Sequence, residues 1–142
     1  MHHIVYQSCA VGHPSLAELR QLLRQARANN DQLGITGLLL YGNDSFLQVL
    51  EGEAAVVQNL YARIRADYRH AQVVTLADGG IADRIFPNWS MGFQGLSAAD
   101  FVRLTGYINP HRTHFLDAHL PAIEEGMLCL LKSFVVDNGA RL

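Results

Sequence analysis

The alternation of apolar and polar positions divides this chain into short segments, each with its own period. At the N-terminus "HHIVYQ" is brief, β-branched and aromatic. It predicts a first strand with His2, Ile4 and Tyr6 on one face and His3, Val5 and Gln7 on the other. After the polar turn "GHPS", Leu16, Leu19, Leu22, Leu23 and Ala26 recur at helical spacing, and Ser15 and Glu18 stand at capping-box distance behind Pro14. They predict an amphipathic helix of about four turns, stopping near Asn29-Asn30 ahead of Gly34. "GITGLLLY" and "SFLQVLEG" read as two strands of a hairpin around "GNDS". A second helix follows in "EAAVVQNLYARIRADYRH", with Val57, Tyr61 and Ile64 beside Val56 and Leu60. "QVVTLADGGI" holds a fourth strand, and "FPNWSMGF" predicts an irregular Pro-Asn turn entering a short fifth one.

The resulting order, βαββαββ, predicts an α+β fold: a ferredoxin-like sandwich with two helices on one sheet face. This domain is expected over residues 1–95. The remainder, 96–142, reads as a helical extension with two helices, in "SAADFVRLTGYI" and "LPAIEEGMLCLLKSFVV", joined by "NPHRTHFLDAH". "MLCLLKSFVV" is apolar enough to need cover, on its own sheet or at a subunit interface.

Composition narrows the function classes. With 17% charged residues and a formal charge of −2, the chain advertises neither nucleic acid nor an acidic membrane as partner. It shows no signal-peptide pattern and no apolar run near the ~20 residues that span a bilayer, so a soluble, cytoplasmic protein is expected. Cys9 and Cys129 lie far apart and read as buried thiols in a reducing compartment. His111, His114 and His119 fall in an expected loop without supporting Cys or carboxylate spacing, so no metal site is expected. Neither a G-x-G-x-x-G nor a P-loop is present, which removes a Rossmann or nucleotide-hydrolysing reading.

One position resists a purely structural account. Gln48 shares a strand face with Phe46 and Leu50, and a buried amide left unpaired costs roughly 1–3 kcal/mol. Four pieces give it a context: Tyr6-Gln7-Ser8; Asn29-Asn30 with "GITG"; Phe46-Leu47-Gln48 ending in Leu50-Glu51-Gly52; and Trp89-Ser90-Met91. In this order and spacing they resemble the BLUF family, the flavin-binding blue-light sensors, from His2 to about Gln94.

The resemblance implies a ferredoxin-like fold holding a flavin ring between its two helices. The cofactor would be FAD, with FMN and riboflavin offering the same ring. Tyr6 would lose an electron and a proton on illumination, and Gln48, between Tyr6 and the flavin N5/C4=O edge, would be left rotated or tautomerised. Asn30 would hold the pyrimidine edge, Ile35 would form an apolar wall, and Arg69 and His70 would line the ring and ribityl-phosphate side. Arg63 is a further phosphate candidate. Trp89 and Met91 would relay the change through the last strand to the C-terminal helices, and so to a protein effector or a homo-oligomer, with no output enzyme domain. Two other classes were open on the residues alone. One is a light-independent ferredoxin-like binding module. The other is a small acylphosphatase-like enzyme, which the arginine-free, single-glycine loop "SCAVGHPS" counts against.

Overall fold

A computed structural model describes residues 1–88, 90–95, 97 and 99. The elements are β1 (His2–Ala10), α1 (Leu16–Leu33), β2 (Thr36–Gly42), β3 (Ser45–Gly52), α2 (Ala54–Ala66), β4 (His70–Gly80) and β5 (Gly92–Gly95). The expected βαββαββ order is therefore present. The two helices expected in the C-terminal extension lie outside the described residues, as does Trp89.

The sheet order is β4-β1-β3-β2-β5. β1 pairs antiparallel with β3 and β4, β2 antiparallel with β3, and β5 adds to β2 in parallel, which makes the sheet mixed. Every residue of β3 is buried, because this strand is flanked on both edges and covered on both faces. The "GNDS" hairpin turns at Asn43 and Asp44, both at positive φ (51° and 53°), the handedness that follows the twist of the two strands.

α1 starts as expected: the Ser15 side chain accepts from the Glu18 amide, and the Glu18 carboxylate accepts from the Ser15 amide. It runs a turn further than expected, to Leu33, and stops at Gly34, whose φ of 66° is the left-handed conformation that glycine adopts without steric cost. Asn30 is consequently inside the helix, not beyond it. α2 ends earlier than the pattern suggests, so that Arg69 lies in a turn and His70 opens β4.

Side-chain alternation sends two sets of apolar residues to opposite faces. Ile4, Tyr6, Leu39, Phe46 and Leu50 pack with Leu19 and Leu23 of α1 and with Val57, Leu60 and Tyr61 of α2, so both helices cover one face. Val5, Leu38, Leu40, Leu47, Val49 and Leu76 point the other way and meet Ile85 and Phe86. Burial on both faces is what makes β2 and β3 nearly continuous apolar runs.

Glu51 interrupts one such run. Its carboxylate is fully buried on the face away from the helices and accepts from the backbone amides of Ile85 (2.7 Å) and Phe86 (2.8 Å). Arg84 ties the same loop down by donating to the carbonyls of Gly34 (2.6 Å) and Glu51 (3.2 Å). A carboxylate thus fixes the segment that leads from β4 towards β5.

Candidate functional site

A cleft of about 180 Å³ lies between α1 and α2 above the sheet. Its floor is made by Tyr6, Leu39 and Gln48, from the adjacent strands β1, β2 and β3. Tyr6 faces Gln48 directly in the β1–β3 register, and Gln48 faces Leu39 in the β2–β3 register. The helices supply apolar walls, Leu22 and Ala26 from α1 and Leu60 and Ile64 from α2. The mouth carries the polar groups of Gln25, Arg63, Asp67 and Arg69.

Gln48 has its partners. The Tyr6 hydroxyl donates to Gln48 Oε1 in a buried hydrogen bond, and Gln48 Nε2 donates to Met91 Sδ at 3.4 Å. The two contacts are unequal, since a thioether is a weak acceptor and leaves the amide N–H poorly matched. Burial, with the nearby Tyr61 and Asp67, raises the Tyr6 pKa well above the ordinary phenol value, so the hydroxyl stays protonated as the donor. Tyr61 tilts against the Tyr6 ring, with centroids 5.2 Å apart, and its own hydroxyl is 2.5 Å from Thr75 Oγ1.

Asn30, buried on α1, donates through Nδ2 to the Ser90 carbonyl at 2.8 Å and lines the cleft. His70 sits edge-on to Tyr6 and Phe46 and shares a hydrogen bond of 2.9 Å between Nδ1 and Ser8 Oγ. Its burial lowers its pKa, so the ring is neutral near pH 7. Arg69 grips Asp67 through Nη2 (2.6 Å) and Nε (3.1 Å) and reaches Gln25 at 3.4 Å across the mouth. That contact holds the Asp67 carboxyl below its usual range.

The structure therefore gathers Tyr6, Asn30, Gln48, Arg63, Arg69 and His70 around one cleft, and brings Met91 onto Gln48. Ile35 is not in the cleft lining; it is fully buried in the core between the helices and the sheet. Met91 lies just before β5 and not on it. Sequence reasoning missed Asp67 and Gln25, which answer Arg69 across the mouth. Asp67 carried a signal, a carboxylate two residues before an arginine at a helix end. Among the described residues no group of His, Cys, Asp and Glu is arranged to hold a metal, and no helix is long and apolar enough to cross a membrane.

Comparison with known proteins gives this geometry a context. The family model for sensors of blue light using FAD, BLUF, matches residues 1–92. Subunit beta of the photoactivated adenylate cyclase of Euglena longa is 42% identical over 89 residues, which is 62% of this chain but 10% of that protein. The chain thus spans about a tenth of the curated relatives it matches. Among solved structures, the dark state of the BLUF protein BlrB aligns with a TM-score of 0.68 at 27% identity, covering 96% of both chains. Klebsiella pneumoniae BlrP1 with FMN and cyclic diGMP aligns at 0.64 and 28%, over 97% of this chain and 35% of that one.

Proposed function

The chain belongs to the BLUF family of blue-light sensors, and from that premise we propose that it is a flavin photoreceptor in which Tyr6 and Gln48 form the switch. The observation that carries the reading is the buried Tyr6 hydroxyl donating to Gln48 Oε1 on the floor of the cleft.

The donor set suits a flavin. Its pyrimidine edge alternates carbonyl and N–H groups, and two amides, Asn30 and Gln48, line the cleft with both donors and acceptors. Leu22, Leu39, Leu60 and Ile64 offer apolar surface to the ring. Arg63 and Arg69 at the mouth suit phosphate, Arg69 once it releases Asp67. FAD is the cofactor we assign, with FMN gripped by the same ring contacts. His70, neutral and hydrogen-bonded to Ser8, packs on the ring side and does not act as a phosphate cation. Ile35 packs in the helix-facing core and not in the cleft lining.

A bound flavin supplies visible absorption and an excited state that accepts one electron. Tyr6 would be the residue that gives up an electron to the bound group, its phenolic proton moving along the existing hydrogen bond to Gln48 Oε1, and both would afterwards return to Tyr6. Gln48 would be left rotated or tautomerised, exchanging the weak Met91 acceptor for one that the bound flavin would offer. The net change is one exchanged hydrogen bond and no consumed substrate. Met91 registers the exchange because its sulfur is the partner given up, and the segment entering β5 carries it on to residues 96–142, which we propose as the output extension acting on a protein effector or a second copy.

Purified protein should be yellow, should shift its absorption to the red by several nanometres under blue light, and should recover in darkness. Tyr6→Phe removes the transferable proton while keeping the ring, and should bind flavin yet form no lasting shifted state. A normal photocycle in Tyr6→Phe would refute the assignment.

A further inference from the structure

Two side chains on one face of α1, Arg27 and Asn30, donate to consecutive carbonyls of the segment before β5. Asn30 Nδ2 holds the Ser90 oxygen at 2.8 Å and Arg27 Nε holds the Met91 oxygen at 2.9 Å. These carbonyls belong to the two peptide planes on either side of the Met91 Cα. With both planes pinned, the backbone dihedrals at Met91 are set, and with them the direction in which the side chain leaves. Met91 is fully buried, and its sulfur ends on Gln48 Nε2.

We propose that Arg27 is a positioning residue for the switch: by holding the Met91 carbonyl it keeps the Met91 sulfur on Gln48 and thereby fixes which way the Gln48 amide faces in darkness. This rests on the reading of Gln48 given above. The contact is charge-assisted, since a guanidinium donates to a partly buried carbonyl, so it is stronger than a neutral bond of the same length. It is also long-range, joining α1 to a segment 64 residues away. Arg27 is not among the residues lining the cleft, and the contact that would reach Gln48 runs through the Met91 carbonyl.

The test is the ¹⁵N–¹H spectrum of the Gln48 side-chain amide in the flavin-loaded full chain kept dark, with the resonances identified by their loss in Gln48→Leu. Arg27→Met keeps the aliphatic stem and removes the donor; Arg24→Met, exposed on the same helix, controls for lost charge. In Arg27→Met the Gln48 amide pair should move towards its positions in Met91→Leu, Arg24→Met should leave it in place, and adding Arg27→Met to Met91→Leu should produce no further movement. Arg27→Lys, which retains a cation able to reach the carbonyl, should restore most of the wild-type position, and it carries the comparison if Arg27→Met does not fold. Unmoved Gln48 resonances in Arg27→Met would overturn the proposal, as would an equal displacement with and without Met91. The photocycle reading fails separately, through a retained light response in Tyr6→Phe or Gln48→Leu.

Discussion

The proposed switch requires Tyr6 to keep its proton until light arrives, and its buried surroundings favour the protonated form. Burial raises its pKa above the ordinary 10.0, so the light-induced shift should keep its full amplitude as pH rises from 7 to 10. Absorbance difference spectra across that range check this, and a loss centred below the ordinary phenol value would contradict it. The isolated amide of Gln48 was legible as a group needing a partner, and the resemblance to the BLUF family named Tyr6 as that partner, with strand alternation allowing both to face one cavity. Met91 as the second partner was only half legible: its identity was, but its contact depends on a turn whose path no periodicity reveals. Arg27 was illegible, being one of several arginines on a polar helix face until the fold brings residues 90 and 91 against it.

Two local fits lock the framework around the cleft. β2 crosses β3 so closely at Gly37 that a Cβ there would stand 1.9 Å from the Val49 carbonyl oxygen. Gly37→Ala should therefore destabilise the fold by about 3 kcal/mol or more, read from urea denaturation, since backbone cannot retreat as a side chain can. A loss under about 1 kcal/mol would mean the strands separate freely. The loop before β5 depends on Glu51: Glu51→Ala removes the acceptor from two buried amides and should cost about 3 kcal/mol, with faster hydrogen exchange at Ile85 and Phe86. Among the described residues the sequence pattern made every element legible in kind, while ends were missed where chemistry other than periodicity decides them. α1 continues past Asn30 because Gly34 supplies the left-handed stop, and β4 begins at His70 because its pairing with Ala10 of β1 starts there. Glu51 was visible as a charge in an apolar run, but its partners belong to a loop that sequence pattern cannot fold.

For the whole molecule, the buried His3 makes stability respond to acid. His3, fully buried on the sheet, has its pKa lowered from 6.5 to about 4, mainly by burial. Its contribution is complete above pH 6.5 and is lost as pH falls towards 4, because the unfolded chain then binds a proton that the folded one refuses. The loss should approach about 3 kcal/mol at the acid end, and His70 adds to it with the same sign. Denaturation midpoints at pH 7.5 and 4.5 measure it, and His3→Asn should flatten the dependence. In the proposed switch, light would act on a smaller scale. One exchanged buried hydrogen bond is worth about 1–2 kcal/mol, which biases an equilibrium by roughly tenfold. An assembly that answers more steeply needs several subunits switching together, so size-exclusion profiles in dark and light should differ modestly for a single subunit and sharply for an oligomer. The photoreceptor reading depends on Gln48 being the group that light rearranges, and the light-minus-dark absorption spectrum of Gln48→Leu tests that most directly. The account predicts a protein that still binds flavin and shows no red-shifted state. A Gln48→Leu protein that shifts and recovers like the wild type would contradict it.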